Sequence, residues 1–471
     1  MYTSFKLLSE SLNNGDVTSV DVVKHYLNEI DKKKHLNAFL EVFKDDALAQ
    51  AAIVDQKIKE GSAGKLAGMV IGIKDNICYI NHKVSGASKI LEGFESLYNA
   101  TVVERLLKED AIIIGRLNCD EFAMGGSNEN SAFGHVLNPI QEDKVPGGSS
   151  GGSAVAVTAG LCLASLGSDT GGSIRQPAAF CGNVGLKPTY GRVSRWGLLA
   201  YASSFDQIGP FANCVDDIAL IMEVIAGKDD KDNTVSQLPV DQYSQLDTNK
   251  KYKIGVPKDL LSGKGMDEEI FSFLKSFIDD LKSKGHEVEE FSFPYFDYMV
   301  PTYYILTTAE ASANLARYDG AHYGYRSPNA TDIESTYVLS RSEGFGEEVK
   351  RRIMLGTYVL SAGYYDAYYS KAQKVRRVLK EKTEEVLQKV DFILTPTAPT
   401  TAFKIGENIG DPVTMYLQDI FTVYANLVGC PAISLPLGKH SNGLPFGMQL
   451  MGKHFAEKEI LSFSKSLEHA S

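Results

Sequence analysis

The chain has 471 residues, of which 44% are hydrophobic and 23% are charged. These values are typical of a globular protein and exclude disorder, collagen and coiled coil as the main architecture. The net charge of −11 argues against nucleic-acid binding by the chain's own surface, because such surfaces are usually basic.

Membrane and secretory features are absent from the sequence pattern. No apolar run approaches the roughly 18 residues that a membrane-spanning helix needs, and the first residues do not resemble a signal peptide. The six cysteines show no C-x-x-C spacing, so they are expected to be reduced thiols. We therefore expect a cytoplasmic protein without membrane contact.

Helical periodicity dominates the first 60 residues. Apolar residues recur at helical spacing over 20–30, after the cap candidates Thr18 and Ser19, and a second helix is predicted over 45–59. The sequence predicts that this opening segment is helical.

The pattern changes near residue 69. Short apolar runs at 69–73 and 111–115 are typical of buried strands, and a helix is predicted over 101–109 between them. The small, apolar stretch 154–166 is predicted as a helix that runs into a strand. This alternation of strands and helices favours an α/β protein.

The second half of the chain continues the alternation after a polar surface loop predicted over 228–251. Because strand signals recur at both ends of the chain, one large α/β domain is predicted. The remaining predicted elements are helices over 216–225, 266–284 and most of 340–390, and strands over 252–256, 391–395, 432–436 and 448–452.

Two segments rich in glycine and serine, at 146–153 and 167–177, are candidates for chemistry. Glycine lets the backbone approach a ligand closely, and free N–H groups then form an anion site or an oxyanion hole. Neither segment ends in the Gly-Lys-Ser/Thr of a phosphate loop. Ser149 or Ser150 could centre a nucleophile elbow, but the preceding residues are too polar for the required strand and no later histidine is a convincing partner.

A serine paired with a lysine is the third interpretation of these segments. Lys74 directly follows the predicted strand 69–73. The part of its side chain nearest the backbone is therefore expected to be buried, while its amino group emerges at the end of the strand. A lysine can act as a base when its ammonium loses a proton, and burial promotes that loss. A single lysine after a strand is usually solvated, so the position alone is weak evidence.

Taken together, the two segments and the Gly-Ile-Lys-Asp context of Lys74 resemble the amidase signature family. The resemblance implies an α/β fold with a large mixed central sheet covered by helices on both faces. It also implies a catalytic triad, in which Ser173 is the nucleophile, Ser149 the bridge and Lys74 the base, with a cis peptide between Gly148 and Ser149.

The resemblance further implies an oxyanion hole and a division of the chain. Backbone N–H groups of Thr170, Gly171, Gly172 and Ser173 would stabilise the acyl oxygen. The chain would be a single amidase domain over 1–471, with a helical N-terminal segment at 1–62, a catalytic core at 63–215 and a mostly helical substrate-pocket region at 260–390.

Within the family, the chain looks most like the glutamine-hydrolysing subunits of tRNA-dependent amidotransferases. This resemblance implies that glutamine is hydrolysed to release ammonia for ATP-dependent transamidation of Glu-tRNA(Gln), with Asp-tRNA(Asn) left open as a second acceptor. The matching motifs lie at 120–127, 185–194, 203–210, 310–317, 349–357, 391–402 and 411–416.

Free glutamine carries an α-carboxylate and an α-ammonium group, which a binding pocket must recognise. The resemblance assigns the carboxylate to Arg352, whose fork suits a carboxylate, and the ammonium to Asp419. Tyr303 is expected nearby, and Gly125 and Ser127 are expected to line the same pocket. No metal site is predicted.

The same resemblance implies partners. No cofactor is expected on this chain, since ATP and magnesium would be used by the B subunit of the complex, and a small C subunit would complete a heterotrimer. The tRNA would be contacted mainly through the partner. A stand-alone amidase acting on aryl or aliphatic amides is the alternative, whereas an inactive scaffold conflicts with the intact Lys74, Ser149 and Ser173.

Overall fold

The computed structural model describes residues 2–263, 265–408 and 411–468, which form a mixed 11-stranded sheet flanked by helices. This confirms the predicted α/β class with a large mixed sheet. The strands are β1 (Phe39–Val42), β2 (Val70–Lys74), β3 (Ile112–Leu117), β4 (Ala164–Asp169), β5 (Val184–Lys187), β6 (Gln207–Ala212), β7 (Lys253–Pro257), β8 (Glu287–Phe291), β9 (Phe392–Pro396), β10 (Ala432–Lys439) and β11 (Pro445–Gly452).

The α-helices precede, connect and follow these strands, and the π-helical segment Tyr365–Ser370 precedes the twelfth of them. They are α1 (Phe5–Asn14), α2 (Ser19–Lys32), α3 (Lys44–Glu60), α4 (Thr101–Lys108), α5 (Gly151–Thr158), α6 (Arg175–Cys181), α7 (Val215–Ile225), α8 (Glu268–Ser283), α9 (Phe296–Asn314), α10 (Ile333–Gly344), α11 (Glu347–Leu360), α12 (Lys371–Leu387), α13 (Pro412–Leu417), α14 (Val423–Val428) and α15 (Glu457–Glu468).

The sheet order is β1-β3-β2-β4-β6-β5-β10-β11-β9-β7-β8. Strand β2 lies between β3 and β4 and is parallel to both. The carboxyl ends of β2 and β4 therefore meet at one edge of the sheet, with Lys74 as the last residue of β2 and Asp169 as the last residue of β4. This topology brings the predicted base, Lys74, close to the start of the segment that contains Ser173.

Strands β2, β3 and β4 are buried along their whole length, which explains their nearly continuous apolar sequences. Ile71 and Ile113 are fully buried. Each such side chain contributes about 1.5–3 kcal/mol relative to an exposed one, so these strands form a rigid base for the residues at their ends.

The predicted elements are largely confirmed, with differences at the start of the chain. The helices predicted over 20–30 and 45–59 lie within α2 and α3, and Thr18 caps α2 by accepting a hydrogen bond from the Asp21 N–H at 3.1 Å. The prediction that the first 60 residues are helical is wrong at β1, which pairs antiparallel with β3. Pairing with a buried strand outweighs the local pattern there.

The helix predicted to run into a strand over 154–166 corresponds to α5 followed by β4. The loop predicted over 228–251 contains no helix or strand. Strands β5, β6 and β8 were not predicted, because they contain glycine or proline or are largely polar. The division at 62, 215, 260 and 390 stays a prediction.

None of the helices in the described part of the chain combines the length and apolar character that a bilayer crossing requires.

Candidate active site

Lys74 is at the centre of a buried cluster of hydroxyl groups. Its side chain is fully buried, and its Nζ atom lies 2.7 Å from Ser149 Oγ, 2.9 Å from Ser150 Oγ and 3.0 Å from Ser168 Oγ. The structure thus brings the predicted base and the predicted bridging serine together, although they are far apart in the sequence.

Burial lowers the pKa of Lys74 to about 8. An ammonium group is strongly hydrated in water, so its loss of solvent favours the neutral amine. Four surrounding groups act in the opposite direction and limit this effect, namely Cys119, Asp120, Asp169 and Asp206. A lysine with this pKa is partly neutral near physiological pH and can accept a proton.

Ser149 is held by a fixed backbone. The peptide bond between Gly148 and Ser149 is cis, as the resemblance implies. The Ser149 carbonyl accepts a hydrogen bond from the Asp120 N–H at 3.0 Å, and the Gly148 N–H donates to Gln176 Oε1 at 2.9 Å. A Cβ atom at Gly148 would overlap the Asp120 carboxylate, so the close packing requires glycine there.

Ser173, the predicted nucleophile, lies in the segment that follows β4 and is 7% exposed. No hydrogen bond joins the Ser173 and Ser149 hydroxyls in the residues that the structure describes. The structure therefore shows the Lys74–Ser149 link, while the Ser149–Ser173 link stays a prediction.

One predicted donor of the oxyanion hole has a partner within the protein. The N–H of Gly172 donates to Asp169 Oδ1 at 2.9 Å. The assignment of Thr170, Gly171, Gly172 and Ser173 as oxyanion donors stays a prediction. The carboxylate of Asp169 also accepts from the Ile174 N–H at 3.1 Å, and it thereby fixes the loop that carries the nucleophile.

Asp169 is kept ionised by a buried arginine to which the sequence pattern assigned no role. Arg175 Nη2 lies 2.9 Å from Asp169 Oδ1 and Nε lies 3.1 Å from Oδ2. Burial alone would raise the pKa of Asp169, but Arg175 outweighs it and the pKa falls to about 2. Arg175 also donates to the Thr422 carbonyl at 2.9 Å, which ties the nucleophile loop to the chain before α14.

A separate cavity collects four of the five predicted glutamine-binding residues. Gly125 and Ser127 lie on one wall, while Arg352 and Asp419 contribute charged groups of opposite sign. The Arg352 side chain is buried, and the Asp419 side chain is partly buried. The other lining residues are Gly126, Glu129, Asn130, Tyr304, Glu347, Glu348, Arg351, Asn408, Met415 and Tyr416.

The guanidinium of Arg352 is held firmly in this cavity. Its Nη1 donates to the Tyr201 hydroxyl at 2.9 Å, and its Nε donates to Glu348 Oε1 at 2.8 Å. The rings of Tyr201, Tyr304 and Tyr416 lie 5.4–5.7 Å from the guanidinium carbon. The predicted fork is thus partly engaged within the protein, which orients its remaining N–H groups.

Burial raises the pKa of Asp419 to about 7, and a hydrogen bond from Tyr304 opposes this effect. The Tyr304 hydroxyl donates to Asp419 Oδ2 at 2.9 Å. Tyr303, which the resemblance placed beside glutamine, does not line the cavity in the described residues. Its hydroxyl packs against Gly171, whereas the Tyr304 hydroxyl reaches Asp419. The place of Tyr303 beside glutamine stays a prediction.

Contacts between neighbouring residues link the cavity to the nucleophile loop. Tyr303 packs so closely on Gly171 that a Cβ atom there would overlap its hydroxyl, and Thr422 Oγ1 donates to the Gly171 carbonyl at 2.7 Å. Gln176 links the two regions from the other side, since its Nε2 donates to the Gly126 carbonyl at 2.8 Å. These contacts connect the lining of the cavity to the segment that contains Ser173.

Several residues of the site had no distinctive signal in the sequence. Ser168 lies within the segment 167–177, but nothing marked it as a contact of Lys74. Tyr304 and Glu348 are ordinary helix residues whose roles depend on the packing of α9 against α11. Only their spacing from Tyr303 and Arg352 could have indicated them.

Comparisons with known proteins find similar sequences along nearly the whole chain. A family model described as Amidase matches residues 21–461. The chain is 53% identical over 473 residues to the A subunit of the glutamyl-tRNA(Gln) amidotransferase of Chlorobium phaeobacteroides, covering 100% of this chain and 99% of that protein. It is 51% identical over 472 residues to the protein of the same name from Chlorobium chlorochromatii, with 99% of both chains covered.

Solved structures show the same similarity. The A subunit of the glutamyl-tRNA(Gln) amidotransferase of Thermotoga maritima superposes with a TM-score of 0.80 at 42% identity, covering 96% of this chain and 92% of that chain. A peptide amidase from Stenotrophomonas maltophilia superposes with a TM-score of 0.83 at 28% identity, covering 98% and 96%.

Proposed function

The chain belongs to the amidase family, and from this premise we propose that it is the glutamine-hydrolysing subunit of a glutamyl-tRNA(Gln) amidotransferase. Amidase chemistry alone would suit many amides. The observation that selects glutamine is the cavity in which Arg352 and Asp419 present opposite charges, and whose Gly126 is linked to the nucleophile segment by a hydrogen bond from Gln176. A free amino acid carries the complementary pair of charges, whereas an aryl or aliphatic amide does not.

We assign the chemistry as acyl transfer through a serine. Neutral Lys74 accepts a proton from Ser149, which in turn accepts one from Ser173. The Ser173 oxygen attacks the side-chain carbonyl carbon of glutamine, and the negative oxygen that results accepts hydrogen bonds from backbone N–H groups. The proton returns through the same groups to the nitrogen, and ammonia leaves. Water then cleaves the ester and releases glutamate.

The ammonia is proposed to reach a partner within a larger complex. The relatives are named as A subunits, which supports membership of a complex of several different chains. We propose that the B subunit uses ATP and magnesium to activate the tRNA-linked carboxylate, and that the C subunit completes the heterotrimer. The net charge of −11 supports a tRNA contact made mainly by the partner.

We place the complex in the cytoplasm. All six cysteines are free thiols, and five of them are buried. Reduced cysteines are usual in the cytosol, which supports this location. Asp-tRNA(Asn) is a second proposed acceptor, because the ammonia released from glutamine is the same product for either tRNA.

A reconstituted complex tests the function directly. Purified chain with the B and C subunits should convert Glu-tRNA(Gln) to Gln-tRNA(Gln) with glutamine, ATP and magnesium. Ser173→Ala should abolish glutamine-dependent conversion but keep conversion driven by added ammonium salt. The proposal fails if the complex does not amidate tRNA while the chain alone hydrolyses aryl amides rapidly.

A further inference from the structure

Lys74 is surrounded by more hydroxyl groups than a Ser-Ser-Lys relay needs. The relay uses only Ser149, yet Ser150 and Ser168 also lie within hydrogen-bond distance of Nζ, at 2.9 Å and 3.0 Å. Ser168 in turn contacts the side chain of Asn76, whose Nδ2 lies 2.9 Å from Ser168 Oγ. All of these side chains are buried.

The neutral form of Lys74 sets a requirement on this cluster. An ammonium group donates three hydrogen bonds, but a neutral amine donates two and accepts one through its lone pair. Of three surrounding hydroxyls, two must therefore accept from Nζ and one must donate to it. Proton transfer from Ser149 needs the lone pair to point at Ser149, so the other two hydroxyls have to be the acceptors.

The remaining contacts decide which hydroxyls can accept. Ser150 Oγ donates its own proton to the Ser168 carbonyl at 3.1 Å, so towards Lys74 it can only accept. Ser168 Oγ can accept from both Asn76 and Lys74, because a hydroxyl has two lone pairs. Ser149 Oγ has Nζ as its hydrogen-bond partner, and its proton is not engaged elsewhere in the described residues.

We propose that Asn76 and Ser168 are positioning residues that, with Ser150, occupy the two N–H groups of neutral Lys74 and direct its lone pair at Ser149. If the Asn76 amide turns over, its Oδ1 instead accepts the Ser168 proton. The proposal requires this second orientation, because it engages the Ser168 proton and leaves Ser168 only lone pairs for Lys74. It also gives a partner to Asn76 Oδ1, which is buried without one in the described residues. The inference deepens the proposed function, on whose serine chemistry it rests.

Charged and ionisable groups around Lys74 influence the pH at which it loses its proton. Apart from the hydroxyls, the groups that act on its charge are Cys119, Asp120, Asp169 and Asp206, all of which favour the ammonium form. A hydroxyl that accepts from an ammonium group also favours the charged form. Removing the Ser168 hydroxyl should therefore move the titration of Lys74 to lower pH while leaving the four other groups in place.

The test measures the rate at which a fluorophosphonate probe labels Ser173 as a function of pH, using the full chain. Labelling joins the Ser173 oxygen to phosphorus and expels fluoride, while the proton leaves through Ser149 to Lys74. It reports activation of the serine without glutamine or partner chains. A failure of the proposed glutamine function is therefore distinguishable from a failure of this inference.

Ser168→Ala should lower the plateau rate about tenfold or more and move the midpoint of the pH profile down by about one pH unit. Ser168→Thr retains a hydroxyl and should restore most of the rate and the midpoint. Asn76→Ala should also lower the plateau, because Ser168 is then free to donate to Nζ and compete with Ser149.

Ser165→Ala is the matched control. Ser165 is a buried serine on the same strand, β4, and its hydroxyl donates to the Ser153 carbonyl at 2.8 Å, away from the Lys74 amine. The substitution should leave both the rate and the midpoint unchanged. The inference is wrong if Ser168→Ala and Asn76→Ala match Ser165→Ala, if Ser168→Thr behaves like Ser168→Ala, or if the wild-type Ser173 is not labelled.

Discussion

The reaction centre and the amino-acid cavity adjoin each other but are built differently. The groups of the reaction centre lie at the ends of β2 and β4 and in the adjacent loops, and they are fixed by backbone hydrogen bonds. The cavity is assembled from side chains on α9, α11 and the segments near 126 and 419. We infer that the reaction centre determines the rate of bond cleavage and that the amino-acid cavity determines which amide is bound.

The largest effect is expected from Lys74→Met. Without the base, kcat for glutamine hydrolysis should fall by about 100- to 10,000-fold, whereas KM should change little because Lys74 does not line the cavity. Lys187→Met is a suitable control, since burial also lowers the pKa of Lys187 to about 8 outside the hydroxyl cluster. Equal losses of kcat in the two variants would mean that a general cost of removing a buried lysine explains the result.

Arg352→Ala should weaken glutamine binding in the amino-acid cavity. A charged hydrogen bond to the substrate carboxylate is lost, so KM for glutamine should rise about 10- to 100-fold, with a smaller change in kcat at saturation. The control is Arg377→Ala, because that arginine is 81% exposed and pairs with Glu381 on the same helix. An unchanged KM in Arg352→Ala, measured by steady-state kinetics, would remove Arg352 from glutamine recognition.

The two regions should also differ in pH dependence. Lys74 must lose its proton to act, so kcat should rise with pH through about 8. Asp419 must be ionised to bind the ammonium group, so kcat/KM should fall further as pH decreases below about 7. Asp419→Asn should remove this second decrease, and its persistence in that variant would show that another group controls binding.

Tyr304→Phe should produce the smallest effect. The hydrogen bond from Tyr304 favours the ionised form of Asp419, so its loss should raise KM a few-fold and move the lower limb of the kcat/KM profile to higher pH. Tyr298→Phe on the same helix is the control, because Tyr298 is 56% exposed. The assignment is wrong if both variants shift the profile equally.

The contrast between the regions also explains what the sequence could predict. The strands 69–73 and 111–115 and the serine segments are local patterns with a direct physical meaning. The pairing of Lys74 with Ser149 was implied only by the resemblance, and the structure shows the two side chains in contact. The cavity also depended on the resemblance, which named Arg352 and Asp419 but gave no sign that Tyr304 lines it. Neighbouring positions on a helix face different directions, and only tertiary packing determines which one faces the cavity.

The sequence also could not show which hydrogen bonds each group forms. The glycines at 171 and 172 look equivalent as oxyanion donors, yet the N–H of Gly172 is engaged by Asp169. Similarly, Ser150 and Ser168 resemble flexible loop residues until the topology of β2 and β4 places both beside Lys74. Such distinctions arise from the fold, because they depend on which groups meet across strands.

Trapping of the acyl-enzyme tests the central claim most directly. The complex is mixed with glutamine, quenched in acid within one turnover, digested and examined by mass spectrometry. Our account predicts a peptide containing Ser173 that has gained the mass of one glutamyl residue, and the loss of this adduct in Ser173→Ala. A glutamyl adduct on Ser149 or on a cysteine, or glutamine hydrolysis that persists in Ser173→Ala, would contradict it.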